Sequence, residues 1–574
     1  MRTAVLRPAT PNPRLAPWWF GLAAAGSVGI TLLFLLIAYP SLVLIASAFG
    51  RDGRPTAEFV LAVLRDREVY RTLENSLLVS LGSSLAGTAL GGVLAWLVAC
   101  TDLPGRRLWQ VLILIPYMIP PFIGAMAWVY LLGPVGWLNQ LWMAITGSDR
   151  PLLVIYGAGG TTFALTVYGY PIAYLAILGV LERIDPPLLE AARMSGAGLW
   201  RTWRDIALPL ARPGVLAGAL LLFASSLANF GVPAVLGFPA RFFVLPTRIY
   251  ATVLNYDLRD NLRIAAAMSL WLVALAGCLI AVEGRLVVRE RVAVITGRLS
   301  GATVVPLGRW RWPVLMSLAL FVGITVVFPV AAILLTSLVR AYGLLPVPEN
   351  LTLQHYATAL FRIPKVHRAI RNSLLLGGGA AWGVVLAGLA LAYLLRRGRW
   401  GGLVRLVATI PYAVPGTVVA LSMILAYLRP LPFVGIRLYD TIWILLLAYL
   451  SRFLLLGLRT VEAALTQVHP SLEEAARMSG ARPLTAFRDV VVPIIRSSLI
   501  GGWFLVFIPA VAELTLSALL ASAGNETIGV VVFGLHEEGK VALAAAVACV
   551  VTLIVLGIHT VALLRGGRWV IWRS

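Results

Sequence analysis

Apolar runs long enough to cross a membrane, each bounded by arginine, glycine or proline, recur twelve times along the chain. A bilayer core of about 30 Å needs about 20 helical residues, because in lipid every backbone amide must be satisfied within its own segment. In the first half the runs lie near Gly21–Ala48, Leu73–Ala99, Leu108–Leu132, Thr161–Leu181, Pro213–Leu236 and Ile264–Val282. In the second half they lie near Pro313–Val339, Ser373–Leu395, Val404–Leu428, Thr441–Leu458, Ser497–Leu520 and Val541–Leu564. Residues 283–312 carry six arginines and the stretch TGRLSGATVVPLG, too polar to span. The pattern predicts an all-α membrane protein with a first half at 1–282, a cytoplasmic linker at 283–312 and a second half at 313–574. Each half has an even number of spans, so both enter the membrane with the same sense, a parallel rather than an inverted duplication.

Composition narrows the class. Of 574 residues, 60% are hydrophobic and 13% charged, and the mean hydropathy is +0.88. That charged fraction, against the usual ~25%, cannot clothe water-soluble globules, so a soluble enzyme is excluded. The net charge of +22 invites a nucleic-acid reading, but only Lys365 and Lys540 are lysines, and the 45 arginines are scattered between apolar runs without a basic stripe. No nucleic acid is expected. With the N-terminus inside, inner segments hold 28 Lys and Arg and outer loops 18, which puts both termini in the cytoplasm. The N-terminal stretch with Arg2, Arg7 and Arg14 reads as the flank of a retained anchor. Cys100, Cys278 and Cys549 sit far apart in or beside apolar runs, and His355, His367, His469, His536 and His559 are dispersed, so neither a disulfide framework nor a metal site is expected.

Self-comparison finds EAARMSGAGLWRTWRDIALPLARP at 190–213 and EAARMSGARPLTAFRDVVVPIIRS at 474–497, identical at 12 of 24 positions. Each copy lies in the inner connection between the fourth and fifth spans of its half. Asp185-Pro186 in one copy and His469-Pro470-Ser471 in the other signal a helix start, and Gly196 or Gly480 offers a left-handed stop. A short helix along the inner face is predicted in each half. An interfacial anchor would explain one copy; retention of Glu and Arg at one spacing in both favours a docking surface.

At these residues the chain resembles the permeases of binding-protein-dependent ABC importers of the type I fold, whose signature is EAA, three residues, G, nine residues, I-x-L-P. The first copy carries Glu190, Ala191, Ala192, Gly196, Ile206, Leu208 and Pro209. The second carries Glu474, Ala475, Ala476, Gly480 and Pro493, with Val490 and Val492 in place of Ile and Leu. The resemblance covers both halves, including NSL at Asn75 and Asn372 and PYxxP at Pro116–Pro120 and Pro411–Pro415. It implies two permeases fused, with coupling helices at 190–209 and 474–493 docking on two separate ABC ATPase subunits. ATP and Mg belong to those subunits and no cofactor to this chain. An external solute-binding protein and a bacterial-type inner membrane are further implications.

Charged groups within a span are functional candidates by default, which singles out Glu513 and Arg452. The repeat maps Glu513 onto Asn229, so both fifth spans place a polar group at one level, either as a pore constriction or as an interhelical hydrogen bond. The surrounding stretches, LANFGVPAVLGFPARFFVLPTRIY and AELTLSALLASAGNETIGVVVFGLHEEG, resemble fused permeases of ferric iron uptake, with thiamine, aminoethylphosphonate and polyamine permeases as alternatives. Gly534–Lys540, GLHEEGK, fits a phosphate-loop spacing, but Val541 replaces the Mg-binding hydroxyl and two glutamates would repel phosphate. The segment Gly133–Gly160 is longer than its counterpart, which suits docking of an asymmetric carrier or a passive insertion. An ion-coupled secondary transporter using Glu513 or Arg452 is the rival reading, opposed by the paired docking motifs. The motifs of an intramembrane enzyme are missing.

Overall fold

The computed structural model describes residues 29, 31–183, 191–192, 194–198, 201, 203–290, 306–395, 401–430 and 435–566. The N-terminal flank with its three arginines, Glu190 and residues 291–305 of the expected linker lie outside them. In the first half, α1 (Tyr39–Ala48) is followed by a two-residue hairpin, β1 (Gly50–Arg51) and β2 (Arg54–Pro55), then α2 (Glu58–Arg65) and α3 (Arg67–Cys100). α4 (Arg106–Met118), α5 (Pro121–Leu132), α6 (Trp137–Thr146) and α7 (Ala158–Leu181) come next, then α8 (Leu208–Leu227), α9 (Gly231–Gly237), α10 (Leu245–Val253) and α11 (Asn261–Glu290).

The second half repeats the order. It runs α12 (Arg311–Val322), α13 (Phe328–Leu338), α14 (Pro364–Leu395), α15 (Gly401–Ala413), α16 (Gly416–Tyr427) and α17 (Ile442–Leu465), then α18 (Pro470–Met478), α19 (Val492–Val511), α20 (Ser517–Leu520), α21 (Ile528–Glu537) and α22 (Val541–Gly566). Among the described residues, ten helices are long and apolar enough to cross a membrane, or twelve if each of two bent pairs counts as one. The fold is all-α, two repeats of membrane helices.

Three expectations change in detail, two of them at a break in a helix. The third spans are not continuous: α4 ends before Pro120-Pro121 and α15 before Pro415, whose missing N–H groups interrupt the helical ladder. The fifth spans, expected to run to Leu236 and Leu520, stop at Leu227 and Val511 and turn into the short helices α9 and α20. The sixth helix continues to Glu290, so residues 283–290 are helical.

Packing follows the inversion expected in lipid. On α3 the buried face is built of Ser76, Ser80, Ser83, Ser84, Gly87, Thr88 and Gly91, while Leu78, Leu81 and Leu85 are more than half exposed. Small residues let backbones approach, which is how membrane helices gain dispersion energy without a hydrophobic drive between them. A Cβ on Gly91 would lie 2.7 Å from the Tyr174 backbone nitrogen of α7, and one on Gly388 would lie 2.9 Å from the Gly457 carbonyl carbon of α17. The second and fourth spans of each half are therefore locked together. Ser84 adds a hydrogen bond to the Ala219 carbonyl of α8 at 2.7 Å, and Ser83 bonds Ser226 at 2.9 Å.

The two halves are joined by exchange of their first spans. α1 packs on α16 of the other half, where Tyr39 donates to the Ala426 carbonyl and Tyr427 donates back to Leu35 at 2.6 Å. α13 packs reciprocally on α5, with Tyr342 donating to the Val129 carbonyl at 2.8 Å and Trp137 Nε1 to Thr336 at 3.0 Å. Among the described residues a π-helical turn ends two residues before a proline five times, at Phe34–Ala38 before Pro40, Trp203–Ala207 before Pro209, Gly323–Val327 before Pro329, Thr358–Arg362 before Pro364 and Phe487–Val491 before Pro493. Where the helix continues through it, the proline ring would clash with the carbonyl four residues earlier, and the wider turn moves that carbonyl aside. Gly91→Val, which places side-chain atoms against the α7 backbone, should cost about 1–3 kcal/mol; thermal unfolding of the detergent-purified protein checks this by a lowered midpoint.

Candidate functional site

The EAA segment of the second half forms the short helix α18; in the first half the helix start expected at Asp185-Pro186 lies outside the described residues, which include 191–192 and 194–198. In the second, His469 caps α18, its Nδ1 accepting from the Ser471 amide, with Pro470 at the first helical position. Glu473 lies in the first turn and Arg477 in the last, each favourable to the helix dipole. The helix ends in a Schellman motif: the Ala481 amide bonds the Ala476 carbonyl at 3.1 Å and Gly480 adopts φ +90°. In the first half Ala197 bonds Ala192 at 3.0 Å and Gly196 adopts φ +80°. Both copies thus end alike, at a conformation that costs any other residue roughly 1–2 kcal/mol.

Ala191, Glu474 and Ala475 are exposed, Ala192 is buried and Ala476 half-buried. Pro209 and Pro493 occupy the second position of α8 and α19. Two features escaped the sequence reading. Met194 and Met478, equivalent residues, stand about nine-tenths exposed on the same surface. Arg204 and Arg488 each clasp the following aspartate, Asp205 and Asp489, with Nε–Oδ1 distances of 2.7 Å in both. The repeated Arg-Asp dipeptide was the available signal for the second feature; exposure of a methionine leaves none.

Asn229 and Glu513 are not inside helices. Each sits in the turn where its fifth span breaks, and each side chain accepts the amide three residues on: Asn229 Oδ1 from Val232 at 3.0 Å, Glu513 Oε1 from Leu516 at 2.9 Å. Both are local caps for backbone that the break leaves unpaired. The two turns meet, since a Cβ on Gly231 would come 3.4 Å from Leu514 Cδ2 and 2.8 Å from Phe122 Cβ. On the other side Gly416, just after the third-span break, faces Thr515, and an added Cβ there would lie 2.8 Å from its Cγ2. Third-span breaks and fifth-span turns of both halves therefore converge on one buried point, packed by Phe122, Phe230, Leu514 and Leu516.

Arg452 also serves a break. Its Nη1 donates to the carbonyls of Pro411 at 2.7 Å and Val414 at 2.5 Å, the acceptors freed where α15 ends. In the first half Tyr170 ties the fourth span to the third before the break, its hydroxyl donating to the carbonyl of Ile113 within α4 at 2.7 Å.

The NSL motifs tie the second spans to the segments after the fifth-span turns. Asn75 Nδ2 donates to the Phe243 carbonyl at 2.9 Å and Asn372 Nδ2 to those of Gly524 and Glu526 at 3.2 and 3.1 Å. GLHEEGK is the C-terminal end of α21, with Gly539 at φ +75° and Lys540 paired to Glu538 at 2.8 Å. It presents carbonyls, the wrong pole for phosphate. Burial instead pushes the Glu537 carboxyl above the ordinary carboxylate range and holds the neighbouring His536 down at about 4. Tyr156 lies close enough for its phenol to be raised by burial and then by the Glu537 charge. Among the described residues no three His, Cys, Asp or Glu side chains come together as a metal site.

The profile of a family described as "Binding-protein-dependent transport system inner membrane component" matches residues 87–291 and 383–565, more than half of the chain. The chain is 26% identical over 543 residues to the ferric transport system permease protein FbpB of Actinobacillus pleuropneumoniae, covering 92% of this chain and 76% of that protein. It is 26% identical over 526 residues to the probable ABC transporter permease protein y4fN of Sinorhizobium fredii, covering 90% of each. The spermidine/putrescine transport system permease protein PotB of Escherichia coli matches over 218 residues at 29%, covering 37% of this chain and 78% of that protein. Arg452→Met removes the donor from two carbonyls and should cost about 1–3 kcal/mol, and Arg452→Lys should recover part of it; detergent thermal unfolding of both variants measures this.

Proposed function

The chain belongs to the binding-protein-dependent transport system inner membrane components, and on that premise we propose how its residues divide the work. It is the permease of an ABC importer and does no chemistry of its own. One chain supplies both halves of the pathway, with boundaries near 1–282, 283–312 and 313–574. The two EAA helices are the coupling helices, each seated on one of two ATPase subunits that bind ATP and Mg, and both termini are cytoplasmic. A solute-binding protein delivers cargo from the opposite face.

The observation that carries this reading is the identical build of the two EAA ends. Glycines at φ +80° and +90° turn the chain back and leave Met194 and Met478 projecting as apolar knobs. Glu190, Ala191, Ala192, Gly196, Pro209 and Glu474, Ala475, Ala476, Gly480, Pro493 form the two docking surfaces. Nothing lies within 4 Å of a Cβ on Gly196 or Gly480, so a larger residue acts through backbone strain rather than collision. Gly196→Val with Gly480→Val should reduce ATPase co-purification at least tenfold while membrane insertion is retained; undiminished complex yield would end the coupling assignment.

The pathway runs through the meeting of the fifth-span turns, past Asn229 and Glu513, with Arg452 bracing the adjacent break. The cargo is ferric iron. Relatives named for ferric transport align over about nine-tenths of the chain, whereas the polyamine permease aligns over about a third. The carboxylate of Glu513, and Glu537 near Tyr156 and Tyr250, give oxygen ligands suited to a hard cation. Thiamine, aminoethylphosphonate and polyamines are the alternative cargoes, to be separated by screening the partner carrier. Glutamine at 513 keeps an oxygen for the Leu516 amide and removes only the charge. Glu513→Gln should therefore lower iron uptake at least fivefold while carrier-stimulated ATP hydrolysis persists; unchanged uptake in proteoliposomes removes Glu513 from the pathway.

A further inference from the structure

We propose that the Asn-Ser pairs of the two NSL motifs are latches that make α10 and α21 move with the second spans, α3 and α14, as rigid bodies. Neither short helix has a local side-chain acceptor for the amide of its first residue, although Thr247 of α10 takes the amide of Val244 just before it. Val244, the residue before α10, has no polar side-chain atom, and Thr527 before α21 makes no capping hydrogen bond. The missing acceptor comes from another helix. Ser76 of α3 accepts the Leu245 amide at 2.7 Å, and Ser373 of α14 accepts the Ile528 amide at 2.9 Å. Leu245 and Ile528 are each the first residue of their helix, where an N–H has no intrahelical partner.

The neighbouring asparagines hold the preceding loops by their carbonyls, as described above. An ion pair reinforces each latch, with its polarity reversed between the halves. Glu68 at the start of α3 faces Arg248 of α10 at 3.9 Å, whereas Arg368 at the start of α14 faces Glu526 before α21 at 3.8 Å. Retention of both hydrogen bonds with exchange of the charges indicates that the link itself, not one particular surface charge, is what the fold maintains.

What the latch holds is the closure. Tyr250 of α10 lies 4.8 Å ring to ring from Phe230, and Phe533 of α21 lies 6.0 Å from the same ring. A Cβ on Gly529 of α21 would sit 3.1 Å from the Glu513 carbonyl oxygen. At the other end, α3 and α14 are locked against α7 and α17 through Gly91 and Gly388, and α17 passes into the EAA helix α18 within a few residues. In the second half a continuous packed route therefore joins the docking surface to the helix lying over the central turns. Movement imposed on the EAA helices is delivered to the closure through the Ser and Asn side chains. This rests on the coupling-helix reading, because that reading supplies the input.

The test is Ser76→Ala with Ser373→Ala in the full complex of permease, ATPase and carrier, reconstituted in proteoliposomes with ferric iron as the probe. ATPase co-purification should stay at the wild-type level, while iron taken up per ATP hydrolysed falls at least tenfold. Loss of ATPase binding would instead strike the coupling-helix reading, so the two failures are distinguishable. The charge pair gives a second measurement that survives a folding defect in the serine variant. Arg368→Glu and Glu526→Arg should each lower the uptake-to-ATP ratio severalfold, and the two together, which recreate the polarity of the first half, should restore it to within twofold. Wild-type coupling in the serine variant, or a doubly exchanged protein as uncoupled as the single ones, overturns the proposal.

Discussion

A backbone in lipid has no water to satisfy it, and every helix break in this protein has to be answered by a side chain or a neighbouring helix. The functional architecture is a set of such answers. Arg452 serves the third span of the second half, Asn229 and Glu513 the turns ending the fifth, and Ser76 and Ser373 the helices that follow. Among the described residues the third and fifth spans of both halves break where they converge, while the second and fourth spans run unbroken around them. Irregular backbone at membrane depth is tolerated where it is buried in protein or lines a cavity. The breaks are therefore the basis on which the pathway is proposed, ahead of the distribution of charge.

The repeat gives the molecule its symmetry, and the answers to the breaks carry its asymmetry. At the same level one half uses a neutral amide, Asn229, and the other a carboxylate, Glu513. Geometry is conserved in this pair because the backbone requirement is the same, while the guanidinium of Arg452 answers a break in the second half alone among the contacts described above. Charge is free to differ, and its concentration on the second half gives the central meeting point a polarity that a pair of identical subunits would lack. Fusion into one chain fixes that difference.

Much of this was legible in the sequence. Apolar periods gave the helices, and the EAA repeat gave the platforms with their glycine stops, because a Schellman end needs a residue that tolerates positive φ and leaves a glycine in view. The PYxxP motifs held the prolines that delete a donor, yet the third spans were expected to run through them, because membrane helices tolerate prolines. Glu513 and Arg452 stood out as charges in apolar runs, yet their partners did not, because a cap three residues away looks in sequence like a buried charge. Exchange of the first spans was invisible: α1 and α13 are apolar all round, and nothing in their pattern says which half they cover. Glu537 was hidden by its resemblance to part of a phosphate loop. The NSL serines looked like helix-interior residues, and only the fold shows that they cap helices 169 and 155 residues away.

The central claim is that one chain carries two equivalent seats for an ATP-hydrolysing partner. Purification of the tagged chain from its own membrane, followed by native mass measurement of what accompanies it and assay of ATP hydrolysis, tests this most directly. Two ATPase copies per chain, with hydrolysis stimulated by the iron-loaded carrier, is the predicted result. Uptake by the chain alone in liposomes, driven by an ion gradient with no ATPase present, would contradict it.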